Sequence, residues 1–352
     1  MNLLEHELSY PLGDTLPAFG SKLEVAPGVF WLRMPLPFAL DHINLWLLRD
    51  VFRGQSGWTL IDCGISSDAV RGHWDTLIAQ ELEGLPIVRV LCTHHHPDHV
   101  GLAGMLTERF SAPLWMTLGE YTVGRILSVI MPGSDPQATY KHYLRNGMQD
   151  SPQLDALKVR SSSHFPSLVP SMPQRFRRIL DHEDIAIGGR TWRVIIGTGH
   201  SHEHAALHCE AEDLLISGDM VLPRISTNVS VFDMEPEANP LTWYLDSLGR
   251  FEPCAQDTLV LPSHGRPFRG LHRRIAQLRA HHAERLAVIE AACRERPRHG
   301  AESVKIIFGR EFDAHQMMFA LGESLAHLHA LWYDGRLRRE LGADGVVRFA
   351  AA

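Results

Sequence analysis

The segment Leu91-Cys-Thr-His-His-His-Pro-Asp-His-Val-Gly101 constrains this chain more than any other. It holds His94, His96, Asp98 and His99 in the order H-x-H-x-D-H. The residues before it, Ile87-Val-Arg-Val-Leu-Cys92, are rich in β-branched side chains and predict a short buried strand. Pro97 suits the first turn of a helix, and Asp98 complements the positive end of that helix's dipole. His94 and His96 stand two apart on extended chain, so their rings point to one side. Asp98 and His99, at the start of the helix, reach a second point nearby. Neutral imidazoles with a carboxylate form an N/O donor set suited to zinc, iron or manganese. The spacing predicts a metal enzyme; His95, between the donors, reads as solvated loop.

Three later segments end in further candidate donors. Thr191-Trp-Arg-Val-Ile-Ile196 predicts a strand running into Gly197-Thr-Gly-His-Ser201, a glycine-rich turn that presents His200. Leu214-Leu-Ile-Ser-Gly-Asp219 is an apolar strand ending in Asp219, and Thr258-Leu-Val-Leu-Pro-Ser-His264-Gly265 repeats the pattern with His264. Each donor falls just past the end of an apolar strand, where folds built on sheets place their chemistry.

The ordered set His94, His96, Asp98, His99, His200, Asp219 and His264 resembles the metallo-β-lactamase superfamily, and within it the dinuclear glyoxalase-II-like and lactonase-like hydrolases. Leu60-Ile-Asp-Cys-Gly64 is similar to the family's early strand-Asp-x-Gly element. This puts Asp62 in the place of the aspartate that stands behind the ligands, with Cys63 where the family usually has threonine. The resemblance covers roughly residues 20 to 270. It implies an α/β fold, the four-layer αββα sandwich, and two divalent metal ions, zinc first, with iron or manganese as alternatives. His94, His96 and His200 would hold the first metal, Asp98, His99 and His264 the second, and Asp219 would bridge them. Asp98 would also be the catalytic proton carrier.

At 352 residues the chain is long enough for one large domain and a small one. We expect a catalytic domain over 1–280 with a helical substrate lobe inserted at 113–178. Within it, Asn44-Leu-Trp-Leu-Leu48 and Trp58-Thr-Leu-Ile-Asp62 predict a hairpin joined through Arg53-Gly-Gln-Ser-Gly57. The lobe carries eight Lys and Arg against four Asp and Glu. Arg145, Lys158 and Arg160 are therefore candidate contacts for an anionic substrate. Residues 281–352 follow as a separate module. Gly322-Glu-Ser-Leu-Ala-His-Leu-His-Ala-Leu-Trp332 predicts an amphipathic helix, followed by a turn at Asp334-Gly-Arg-Leu-Arg-Arg339 and a strand at Gly345-Val-Val-Arg-Phe349. This resembles the winged-helix module attached to some metallo-β-lactamase proteins, one of them described as an endoribonuclease.

Charge narrows the partners. The net charge of −7 argues against a general nucleic-acid binder. The C-terminal module has ten basic and ten acidic residues, and only Arg336, Arg338, Arg339 and Arg348 are placed to make a basic face. Packing or homo-oligomerisation is the simpler role for it. Five scattered cysteines (Cys63, Cys92, Cys209, Cys254, Cys293) without a C-x-x-C suit a reducing compartment. The acidic start, broken by Pro11 and Pro17, is unlike a signal peptide, and no run approaches a membrane span. The expectation is a soluble cytoplasmic protein with a small-molecule substrate and no membrane partner.

These readings converge on a dinuclear metal-dependent hydrolase cleaving an acyl compound, a thioester or lactone. The alternatives are an endoribonuclease or phosphodiesterase, an iron-dependent sulfur dioxygenase, and a non-catalytic binding protein with a vestigial site. A complete second donor set, His264 included, favours hydrolysis over dioxygenation. The stretch Met220-Val-Leu-Pro-Arg-Ile-Ser226 differs from its counterpart after the bridging aspartate in glyoxalase-II enzymes. Lactonases use a tyrosine soon after that aspartate, and here the nearest is Tyr244.

Overall fold

The structure, a computed structural model, describes every residue except 1, 39, 130–134, 136, 150–153, 156–163 and 311, and the side chains of 314 and 315. Strands β1 (Lys22–Ala26), β2 (Val29–Pro35), β3 (His42–Phe52) and β4 (Gln55–Ile61) form an antiparallel meander. The expected hairpin is β3–β4. Phe52 pairs with Gln55, so its loop is only Arg53 and Gly54, both at positive φ (52° and 81°), as a tight hairpin turn requires. Helix α1 (Asp68–Gln80) then leads to β5 (Ile87–Leu91), whose five residues are all buried. The metal-motif helix α2 (Pro97–Val100) and α3 (Ala103–Phe110) come next. Strands β6 (Leu114–Met116) and β7 (Phe176–Arg178) complete a seven-stranded sheet, parallel from β4 onward.

Those last two strands bound the helical lobe expected over 113–178. Both ends of the segment belong to the first sheet, and three-residue strands are too short to show a periodicity. Between them lie helices α4 (Leu118–Leu127), α5 (Ala138–Arg145) and α6 (His164–Leu168).

The second sheet has five strands: β8 (Asp184–Ile187), β9 (Arg190–Gly197), β10 (His204–Cys209), β11 (Leu214–Gly218) and β12 (Leu259–Pro262). The expected apolar strands are β9, β11 and β12. Trp31, Trp46, Leu91, Trp192, Leu207, Ile216 and Leu261 fill the space between the two sheets. Trp58, Trp74, Leu77 and Leu106 pack α1 and α3 on the outer face of the first. Helix α7 (Pro240–Leu248) and the C-terminal helices cover the outer face of the second. Four layers, αββα, result. A buried ion pair pins the sheets together. Arg89 on β5 meets Asp50 on β3 at 2.6 Å and donates to the Ala186 carbonyl of β8, while Gly188 N–H donates to Asp50 Oδ1.

The C-terminal part comprises α8 (Leu271–Glu295), α9 (Gly300–Phe308), α10 (Ala314–Tyr333) and the hairpin β13 (Leu337–Leu341)–β14 (Val347–Ala351), a winged-helix-like arrangement. The boundary expected at 280/281 falls inside α8. Leu321, Leu325, Leu328 and Phe349 share one apolar core with Val221, Tyr244, Val260 and Leu271. His282 and His327 meet at 3.1 Å between α8 and α10, beside the Arg285–Glu323 ion pair. Among the described residues no helix is long and apolar enough to cross a membrane.

Candidate metal centre

All seven donors named from the sequence meet at one edge of the sandwich. The strand β5 and the loop after it deliver His94 and His96; α2, with Pro97 at its first position, delivers Asp98 and His99. His200 follows β9, Asp219 follows β11 and His264 follows β12. His94 Nε2 lies 2.9 Å from His96 Nδ1 and 3.1 Å from His200 Nε2, which is 3.3 Å from Asp219 Oδ2. Beside this first group, Asp98 Oδ2 lies 3.4 Å from His264 Nε2 and 3.7 Å from His99 Nε2. Asp219 spans the two groups, its Oδ1 standing 3.6 Å from His99 Nε2 and 3.5 Å from His264 Nε2.

The outer nitrogens of these rings are tied back, which fixes the tautomers. Asp62 Oδ2 takes the N–H at His99 Nδ1 at 2.8 Å, the Asn228 carbonyl that of His200 at 2.7 Å, and the His42 carbonyl that of His264 at 2.9 Å. The Thr93 hydroxyl donates to Asp62 and so accepts from His94 Nδ1 at 3.0 Å. Asp62 itself lies in the left-handed region at φ 62°, which Asp tolerates better than most residues.

A cation fits this donor set. The free lone pairs converge, and His99 Nε2 and Asp219 Oδ1 are buried without a hydrogen-bond partner. Burial and then the surrounding imidazoles hold His94 well below the ordinary histidine range, and His96 is lowered in the same way. Burial works against a charge on His99 too, yet Asp62, Asp98 and Asp219 raise it to about 10. His264 is likewise raised by Asp219 against its burial. Around His99 and His264 the carboxylates thus favour positive charge, as a divalent cation site requires. His94, His99, His200, Asp219 and His264 are buried, whereas His96 and Asp98 are partly open, so the centre is approached from their side.

Of the candidate substrate contacts, Arg145 is exposed at the end of α5. Lys158 and Arg160 lie outside the described residues.

Two features correct or extend the sequence reading. His95 is buried rather than solvated: its Nδ1 lies 2.5 Å from Glu120 Oε2, a fully buried carboxylate on α4. His204, which the sequence reading passed over, accepts the Asp219 backbone N–H at 3.1 Å and packs its ring 4.9 Å from that of His94. Gly218 makes room for it; at φ 53°, a Cβ there would stand 2.3 Å from His204 Nε2. The spacing His200-x-x-x-His204 was the available signal.

The sequence profile described as metallo-beta-lactamase superfamily matches residues 40–264, more than half of the chain. The chain belongs to that superfamily. A second profile, metallo-beta-lactamase-like, C-terminal domain, matches residues 286–352. The chain is similar to the probable metallo-hydrolase YqjP of Bacillus subtilis (strain 168), with 25% identity over 317 residues, 86% of this chain and 92% of that one. Among solved structures it is similar to a beta-lactamase domain protein from Burkholderia ambifaria, with 58% identity, TM-score 0.94 and 100% of both chains covered. A metallo-beta-lactamase family protein from Thermus thermophilus is similar over 94% of this chain and 100% of its own, with 29% identity and TM-score 0.75. The protein is a metallo-hydrolase of the superfamily, with donor clusters for divalent metal.

Proposed function

We propose that this metallo-hydrolase is dinuclear and cleaves acyl compounds, thioesters first. The observation that carries the reading is the division of Asp219 between two donor groups, Oδ2 toward His200 and Oδ1 toward His99 and His264. His94, His96 and His200 would hold one cation and Asp98, His99 and His264 the other, zinc being the natural choice for this N/O set. Two such cations supply water activation near neutral pH and polarise the bond to be broken. Asp98, with its side chain 19% exposed, lies on the approach side. There it orients the attacking water, takes up its proton and returns it to the leaving group.

Two observations support thioesters over the competing substrates. The Tyr244 phenol is fully buried and donates to the Met220 carbonyl at 3.0 Å, so it is not available to a lactone in the way a lactonase tyrosine is. The four arginines that could face a nucleic acid are each engaged by a carboxylate: Arg336 by Glu290, Arg338 by Glu340, Arg339 by Glu237 and Arg348 by Asp344. This argues against an endoribonuclease. A panel of coenzyme A thioesters, neutral thioesters, lactones and a phosphodiester on zinc-loaded protein, with oxygen uptake on a persulfide followed for the iron-loaded form, tests the reading. We expect the highest kcat/KM on thioesters. Faster turnover of the phosphodiester, or oxygen uptake with the iron-loaded form, overturns it.

A further inference from the structure

The C-terminal module reaches the metal centre through one irregular segment, residues 227–233. Thr227, Val229, Ser230 and Val231 are buried, although the segment forms neither strand nor helix, so its backbone groups need partners inside the protein. On one side the Asn228 carbonyl holds His200 Nδ1 at 2.7 Å, and the Thr227 hydroxyl donates to the Asp219 carbonyl. On the other, Val231 N–H donates to the Gly322 carbonyl of α10 at 3.1 Å. The Ser230 hydroxyl closes the turn by donating to Asn228 Oδ1 at 2.8 Å. The inserted lobe clamps the far end, where Thr139 donates to Asp233 at 2.7 Å.

Gly322 lies in the interior of α10, where glycine is a poorer helix former than alanine. Close packing accounts for it. A Cβ at this position would stand 2.6 Å from Ser230 Cβ and 2.7 Å from its hydroxyl. The helix therefore presses directly on the segment whose carbonyl orients His200.

We propose that α10 is a positioning element of the first metal site, acting on His200 through Gly322, Ser230 and the Asn228 carbonyl. The module's work is then metal binding rather than recognition of a separate partner. The group that holds a histidine's outer nitrogen sets the ring's direction and basicity, and losing it costs about 10–100-fold in metal affinity. The inference rests on His200 being a ligand of the first metal.

Zinc affinities of the full chain, measured by competition with a chelator, test it. In Gly322→Ala the first ion is held about 10-fold or more weakly. The second falls less, because Asp62 braces His99 independently of α10 and only the shared Asp219 links that site to the segment. Adding Ser230→Gly to Gly322→Ala removes the colliding Cβ and brings the affinity back to that of Ser230→Gly alone, which lacks only the hydroxyl's bond to Asn228. Ser230→Ala alone, which deletes only the hydroxyl, produces a smaller fall of the same sign, and serves if Gly322→Ala does not fold. A lower melting temperature with both affinities intact, or an equal loss at both sites that the double variant does not repair, overturns the coupling. His200→Ala separates the two claims: retention of both ions there overturns the ligand assignment itself.

Discussion

Glu120 accepts the backbone N–H of Glu203 through Oε1 at 2.7 Å. Its other oxygen takes the backbone N–H of His95 at 3.0 Å as well as the His95 ring. One buried carboxylate thus joins the loop of His94 and His96 to the loop of His200. Three donors aim at it, and an amide cannot accept them all because its NH2 would face an N–H. We expect Glu120→Gln to hold the first metal about 10-fold more weakly. Chelator competition measures this, and wild-type retention would show that the loops keep their places without the carboxylate.

Asp219 offers one oxygen to each donor group. Elemental analysis of the purified protein should find about two transition-metal ions per chain, as expected for a bridged pair. Asp219→Ala should hold about one or fewer. A wild-type value near one, unchanged in the variant, would return weight to the mononuclear dioxygenase chemistry.

Asp98 combines a donor position with exposure to the approach side. Asp98→Asn keeps the shape and removes the proton acceptor, so kcat should fall by about 100-fold or more while KM changes little. Steady-state kinetics on the best thioester of the panel decide this; a loss confined to KM would make Asp98 a binding residue only.

The Asp50–Arg89 pair supplies a pH-dependent prediction away from the metals. Burial works against ionised Asp50, but the Gly188 N–H, the Thr59 hydroxyl and Arg89 outweigh it and lower the carboxyl below its ordinary value. Its stabilising contribution is therefore present above the unfolded carboxylate pKa and lost as pH falls through the lower folded value. Asp50→Asn strands a buried guanidinium and should cost about 3–5 kcal/mol at neutral pH. Urea unfolding at several pH values should also show a shallower acid decline for the variant than for the wild type.

The sequence made the donors legible because each sits at the end of a local pattern. Apolar strands β5, β9, β11 and β12 announce themselves, and a donor follows within about three residues of each strand's end. The groups standing behind the donors were not legible. The Asn228 and His42 carbonyls leave no trace in residue identity, because any residue has a carbonyl. His95 was misread because the carboxylate that buries it comes from α4, 25 positions away. The one local hint was Glu120, the single acid of the helix Leu118–Leu127. Strands β6 and β7 were hidden by their length, since three residues show no alternation.

Helix α8 belongs to two regions at once. Its first turns lie against the second sheet through Leu271 and Ile275, and Ile289 and Cys293 lie in the same apolar core as Leu321 and Phe349. A chain divided by a flexible linker melts in two steps, because each half loses its core alone. Here no such linker exists at the junction, and the C-terminal helices cannot unfold without uncovering the sheet that carries Asp219 and His264. Calorimetry should record a single transition for the whole chain, and limited proteolysis should find no cut between residues 271 and 295 that releases two folded pieces.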